Sequence, residues 1–329
     1  GHRPVVYSPT LGAIAHEIRA ATVPVVSELA AVGSPPEVIH GHHHPQTMAA
    51  LLRFPGVPAV FFAHDWNAWW DVPPRFPRIY RYVAVDDALF DRLAFEQGLP
   101  PERLRVLLNA VDLTRFLPRG PLPPKPRRAL LFSHTASRGE ARRAVEEACR
   151  RLGIALEVTG AGAGRSTDRP QELLPRYDLV FARGRCALEA LAVGAAVVLC
   201  GVEGVGPLVT AAEMERLRRL NFGRRALAEP LTADVLEREI GRYDAADAES
   251  ASLRLREVAG LETATAEAVA LYREVIEEHG RHGPADPAEE GAAAAAYLEQ
   301  WGPRLGDRIA WANGTWARRG GGWRAWAAD

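Results

Sequence analysis

The rhythm of the sequence limits its fold more than any other feature. Short apolar runs recur at residues 5–8, 23–27, 38–42, 59–63, 82–85 and 104–108, with helical stretches at 12–21, 46–53 and 87–97 between them. Strands separated by helices, not by tight turns, are joined by crossovers, so they run parallel. A parallel sheet must be covered on both faces, which requires an α/β architecture with helices on either side.

The rhythm breaks once. Residues 117–127, LPRGPLPPKPR, hold five prolines, and proline neither continues a helix nor donates to a sheet ladder. The segment reads as an exposed linker, with a domain boundary at 120. Beyond it the alternation restarts, with strands at 129–133, 154–158, 179–182 and 196–200. Helices are expected at 138–152, 186–193, 212–220 and 233–243, and one long helix over about 248–279. The length of 329 residues suits two domains. The expected division is an N-terminal domain over 1–120, a second over 121–280, and a connector with a tail over 281–329. Residues 279–290 are polar with Gly and Pro, and residues 292–300 are strongly helix-prone. From Trp301 onward lie five of the eight tryptophans, among Gly and Arg. A docked cap, a membrane or partner contact and an unstructured end all stay open for that stretch.

Composition removes several function classes. The net charge of −1 offers no bulk attraction for nucleic acid, so no nucleic-acid partner is expected. Lys125 is the only lysine and sits among prolines. A Walker lysine is therefore absent and a Schiff-base lysine is disfavoured. Any anion clamp must be built from Arg and backbone N–H groups. Cys149, Cys186 and Cys200 are odd in number and form no C-x-x-C pair, which argues against disulfides and zinc and for a reducing compartment. No apolar run is long enough to span a bilayer and no signal peptide is apparent, so a cytoplasmic location is expected.

The sharpest chemical signal is residues 177–206, YDLVFARGRCALEALAVGAAVVLCGVEGVG. An apolar strand enters an Arg-Gly-Arg loop, a helix carries Glu189, and after a buried strand comes a second Gly-rich loop at Gly201, Gly204 and Gly206. A helix start offers unpaired N–H groups and the positive end of the dipole to a diphosphate. Arg183 and Arg185 can fork onto phosphate oxygens. Gly184 allows close backbone approach. Glu189 can accept from ribose hydroxyls, as acidic residues do in dinucleotide folds. The competing structural reading is that Glu189 supports its helix and both arginines are solvated.

Seven of the ten histidines lie within residues 1–64. His40, His42, His43 and His44 invite a metal reading. Successive strand residues face opposite sides, however, and no carboxylate or cysteine follows at ligand spacing, so no metal is expected there. A solvent-facing or site-lining loop is the preferred reading. His64 ends a strand, where open α/β sheets place their ligands, and Asp65 follows it. Trp66, Trp69 and Trp70 can stack on a sugar or pack in the core.

Residues 187–198, ALEALAVGAAVV, resemble the donor-binding signature of glycosyltransferase family 4, and YDLVFARGR and LRRLNFG resemble one bacterial branch of it. In the first half, EVIHGHHHP, VPAVFFAHD and LRVLLNAVDLTRFLP are similar to the family's His-x-His strand, its His-Asp strand and its lead into the interdomain linker, with Asn109, Asp112 and Phe116 at matching places. The resemblance covers residues 1–245 and does not reach past about 280.

The resemblance implies two Rossmann-like domains facing a donor cleft, the GT-B fold. It implies a glycosyltransferase that moves a sugar from a nucleoside-diphosphate donor to a glycan or lipid-linked acceptor. Retention of configuration, no cofactor and no essential metal go with it. The product would be a bacterial surface glycan or glycolipid made in the cytoplasm or at the inner face of the membrane, with a peripheral membrane contact left open. His64 and Asp65 become the catalytic candidates. Arg138, Arg183, Gly184, Arg185, Glu189, Gly204, Gly206 and Asn109 become the donor-site candidates.

Three positions depart from the family pattern. Phe181 stands where a second glutamate is common. FSHTASRGE offers only His134 and Arg138 for the usual Arg and Lys pair. The opening GHRPVVYSP looks like the family's second strand, so the first strand, its Gly-rich loop and the first helix are expected to lie before Gly1. These departures keep two alternatives in view: a non-catalytic nucleotide- or partner-binding module, and a nucleotide-sugar epimerase on the same fold.

Overall fold

A computed structural model describes residues 2–133, 139–160, 164 and 167–318, with side chains up to residue 304. The chain packs as two compact units. One comprises residues up to Tyr82 together with those from Tyr272 on, and the other is Val83–Leu271.

The first unit opens with β1 (Val6–Tyr7), α1 (Ile14–Ala20) and β2 (Val25–Val26). β1 and β2 pair in parallel, Val6 opposite Val25. Then come β3 (Ile39–Gly41), α2 (His44–Arg53), β4 (Ala59–Ala63) and β5 (Ile79–Ala84). β4 reads AVFFA and is buried at every residue, the continuous apolar run of a strand covered on both faces. Gly41 lets α2 fold back tightly, because a Cβ there would lie 2.2 Å from Thr47 Oγ1.

The boundary between units falls within β5. α3 (Asp87–Asp91) follows, capped where Asp86 Oδ1 accepts from Leu89 N at 2.7 Å, and a π-type segment continues over Arg92–Glu96. β6 (Leu104–Val106) completes a sheet of order β3-β4-β5-β6, and Leu107 N donates to Ala84 O at 3.0 Å.

The core of the second unit runs through β7 (Arg128–Phe132), α4 (Gly139–Leu152), β8 (Ala155–Thr159), α5 (Pro170–Leu173), β9 (Leu179–Ala182), α6 (Gly184–Ala192), β10 (Ala196–Gly201), β11 (Gly204–Leu208), α7 (Met214–Arg219), α8 (Ala233–Ile240) and α9 (Ala245–Val258). Its sheet has the order β11-β10-β9-β7-β8. Only the pairing of β10 with β11 is antiparallel. Alternate residues of β9 face opposite sides, as the period of two requires. Val180 and Ala182 join a core with Leu188, Leu191 and Leu255, while Leu179 and Phe181 join one with Val145 and Leu236. Both faces are therefore covered, as the sequence rhythm requires. The proline-rich stretch has no regular structure. Asp178 holds its surroundings, accepting from Arg127 N at 2.9 Å, Arg128 N at 3.1 Å and Arg119 Nη2 at 3.1 Å.

The expected single helix over 248–279 is two. α9 stops and α10 (Leu261–His282) begins after Gly260. Val111 N donates to Ala259 O at 2.9 Å and Leu261 N donates to Val111 O at 3.1 Å, so a residue distant in sequence takes the groups that a continuous helix would have used. The end of α10 and α11 (Pro287–Arg318) belong to the first unit. Arg81, on β5, bonds Glu274 at 2.5 Å and Glu278 at 2.5 Å. Tyr297 and Trp301 are buried, so α11 is docked there, and the side chains of the later tryptophans lie outside the described residues. Among the described residues no helix is long and apolar enough to cross a membrane.

Candidate functional site

In the second unit the candidates gather where β9 ends. α6 begins two residues earlier than expected, at Gly184, behind an extended Arg183. Gly184 has φ +56°, and nothing lies within 4 Å of where its Cβ would be. Glycine is thus required by the left-handed backbone, and the helix start stays open to a ligand. Glu189 sits in the second turn with its side chain only 15% exposed. Burial raises its carboxyl above the usual range, against the pull of Arg185 and Arg115. The same burial, with the charge of Glu189 adding to it, pushes the Cys186 thiol up to about 12. Both arginines have partners: Arg183 pairs with Glu203 at 3.0 Å and Arg185 with Glu189 at 3.8 Å.

The expected second Gly-rich loop is a tight hairpin, in which Gly201 pairs with Gly204 across Val202 and Glu203. Gly204 and Gly206 lie in β11. A Cβ on Gly204 would meet Glu229 O at 2.6 Å, and one on Gly206 would meet Ala226 O at 2.5 Å. Main-chain packing by itself accounts for glycine at both positions. Phe181 is fully buried in the core, so no side chain from that position reaches the start of α6. Asn109 lies in the irregular stretch after β6, half-buried. Arg138 and His134 lie outside the described residues.

Asn221 and Phe222, within the LRRLNFG segment, form a turn after α7 in which both are left-handed, at φ +51° and +50°. A non-glycine residue there costs on the order of 1 kcal/mol or more. The fully buried Phe222 ring fixes the turn in the core, and Phe222 O accepts from Gly184 N at 2.9 Å. The turn thereby sets the first residue of α6.

In the first unit the histidines separate into two groups. His40 and His42 share one side of β3, and His42 Nδ1 lies 2.7 Å from His64 Nε2 at the end of β4. His40 stacks on Phe62 at 4.0 Å and bonds the Tyr272 hydroxyl. Desolvation, with neighbouring histidine charge adding to it, holds His40 and His42 below the ordinary histidine range. His44 lies not in a solvent-facing or site-lining loop but at the first residue of α2, fully buried. Its Nδ1 shares a 2.8 Å hydrogen bond with Tyr297 Oη, and burial pushes it down to about 4.

His64 and Asp65 sit on a tightly tied turn. Asp65 Oδ1 accepts from Asn67 N at 2.6 Å and Ala68 N at 2.9 Å. The buried Asp71 carboxylate accepts from both His64 N and Asp65 N.

Residues 1–115 match the family model described as Glycosyltransferase Family 4. The match covers 115 of the 329 residues. The matched segment holds His64, Asp65 and Asn109, and ends before the Arg183–Glu189 region. A solved glycosyltransferase from Rickettsia africae is similar in fold, with 13% identity, 84% of this chain and 90% of that chain covered, and a TM-score of 0.57. Its likeness agrees with the GT-B class expected from the sequence. A sucrose-phosphate synthase from Thermosynechococcus elongatus is more distant, at 14% identity, 80% and 78% coverage and a TM-score of 0.48. No curated protein matches the chain.

Proposed function

We propose that this glycosyltransferase takes its sugar from a nucleoside-diphosphate donor bound at the start of α6 and passes it, with retention of configuration, to a glycan or lipid-linked acceptor. One observation carries the reading: the open, left-handed Gly184 lies five residues before a largely buried Glu189, with arginines on either side of the glycine. That combination suits a diphosphate at the helix start and ribose hydroxyls at the carboxylate.

Cleavage of the sugar C1–O bond leaves its electron pair on the diphosphate and positive charge on the ring. N–H groups at the start of α6 other than that of Gly184, which Phe222 O holds, would stabilise the growing negative charge together with Arg183, Arg185 and Arg138. Each donor aimed at such charge contributes roughly 3–4 kcal/mol. Donor binding competes with Glu203 for Arg183, since the two are ion-paired. The acceptor hydroxyl bonds to C1 on the face the diphosphate leaves, and its proton passes to the departing phosphate oxygen. No second carboxylate nucleophile, metal or other cofactor is required. His64 and Asp65 are the proposed catalytic residues. His64 supplies a hydrogen bond toward the donor sugar and phosphate, and Asp65 orients the acceptor. Asn109, Gly204 and Gly206 complete the proposed donor set, the two glycines by shaping the hairpin beside Arg183. The proposed setting is the synthesis of a bacterial surface glycan at the cytoplasmic face of the membrane.

The test is turnover of a panel of nucleoside-diphosphate sugars, followed by nucleoside-diphosphate release and by proton NMR of the anomeric centre. Release from one donor, retained configuration and insensitivity to chelator are expected. Failure to release from any donor, or an inverted product, contradicts the reading.

A further inference from the structure

Two segments more than two hundred positions apart in sequence meet beneath the His64–Asp65 turn. From the C-terminal end comes α11, with Tyr297 and Trp301 buried. From the other side comes the start of α2, with His44, and the single 3-10 turn Trp69–Asp71. The rings interlock: His44 lies 4.2 Å from Trp301, 5.6 Å from Tyr297 and 5.4 Å from Trp69, and Trp69 lies 6.1 Å from Trp301. Asp71, two residues after Trp69, is 4% exposed and receives the backbone N–H groups of both His64 and Asp65. Its own N–H donates to Ala68 O at 3.0 Å, and Ala68 N is held by Asp65. The loop 64–71 is thus closed at both ends by carboxylates and anchored in its middle by Trp69.

We infer that Asp71 is a positioning residue for the His64–Asp65 turn, and that α11 sets Asp71 through Tyr297, Trp301, His44 and Trp69. A charged, buried acceptor that binds two consecutive N–H groups fixes the peptide plane between them, and so fixes where the His64 and Asp65 side chains begin. The aromatic cluster fixes the 3-10 turn that carries this acceptor. The C-terminal helix, outside the segment that matches the family model, thereby belongs to the machinery of the turn. This inference rests on the proposed catalytic roles of His64 and Asp65, while its geometric part stands without them.

The experiment uses the full chain and two mild substitutions. Asp71→Asn keeps the shape and removes the charge; Tyr297→Phe removes only the hydroxyl that bonds His44. Steady-state donor turnover is measured beside calorimetric binding of nucleoside diphosphates. In parallel, 15N-histidine-labelled protein reports the His64 amide by NMR, assigned with His64→Gln. The expected result is a fall in kcat of about tenfold for Asp71→Asn and about threefold for Tyr297→Phe, since small misplacements of reacting groups cost such factors. Nucleoside-diphosphate Kd is expected to change less than kcat, because Arg183, Arg185, Glu189 and the start of α6 are untouched, and the His64 amide resonance is expected to move upfield in both variants. An unmoved His64 amide in both overturns the inference, as does an unchanged kcat in Asp71→Asn. If wild-type protein turns over no donor, the proposed function fails, and the amide measurement still decides whether α11 sets the turn. Should Asp71→Asn not fold, Tyr297→Phe alone carries the test.

Discussion

Replacing Arg78 by methionine should destabilise the first unit by about 4 kcal/mol. Arg78 is 1% exposed on its side chain and makes a two-pronged bond to Glu290, Nε to Oε1 at 2.6 Å and Nη2 to Oε2 at 3.1 Å. Its remaining donors reach Leu51 O at 2.6 Å, Val57 O at 2.5 Å and Phe54 O at 3.1 Å. One guanidinium therefore closes the C-terminal end of α2 and ties the beginning of α11. Removing one partner of a buried ion pair costs about 3–5 kcal/mol, the penalty of the groups left unpaired included, and because Glu290 keeps 19% exposure water recovers part of its loss, so about 4 kcal/mol is expected. Glu290→Gln keeps an acceptor in place and should cost only about 1 kcal/mol. Urea unfolding followed by tryptophan fluorescence reads the right unit, since none of the eight tryptophans falls within Val83–Leu271. A loss below about 1 kcal/mol for Arg78→Met, or equal losses for both variants, would refute the claim that this arginine joins α2 to α11.

Other consequences can be measured independently. His44 is held neutral, near 4 against an ordinary 6.5. The unfolded chain therefore binds the extra proton between those values, so stability is full above pH 6.5 and falls as pH drops toward 4. The loss approaches about 3 kcal/mol, and a His44→Leu variant should show a flatter urea midpoint between pH 7 and pH 5. Gly204→Ala and Gly206→Ala should each cost about 1–3 kcal/mol in thermal unfolding, because the new methyl group meets a fixed carbonyl. Gly184→Ala should cost about 1 kcal/mol, from backbone strain alone; equal effects at all three glycines would contradict the distinction drawn between them. Burial raises the Glu189 carboxyl, so nucleoside-diphosphate affinity should rise with pH as that group ionises, and Glu189→Gln should remove the dependence in calorimetry at several pH values.

The parts of the fold that could be read in advance were those dictated by local pattern. The strands at Ala59–Ala63 and Leu179–Ala182 fall where their apolar runs place them, because a run buried on both faces has no other place to go. The pairing of His42 with His64 comes from the parallel register of β3 with β4, which the sequence pattern does not specify. What could not be read depends on distant partners. β11 reads GVGPL, which lacks a strand composition, and it forms because its glycines admit the carbonyls of Ala226 and Glu229. The break between α9 and α10 needs Val111, and the docking of α11 needs Arg78 and His44. No periodicity announces such pairs. Within the candidate site, Glu189 and His64 were visible as motifs. Asp71 was not, and LRRLNFG was visible as a motif without the hold of Phe222 O on Gly184 N, since both roles lie in which backbone groups are held.

The most direct test of the account is calorimetric titration of a panel of nucleoside diphosphates into the full chain and into Glu189→Ala. The account predicts that one base binds and that Glu189→Ala abolishes the binding while the variant remains folded. Binding that persists unchanged in Glu189→Ala, or binding of no member of the panel by the wild-type chain, would contradict a donor site at the start of α6.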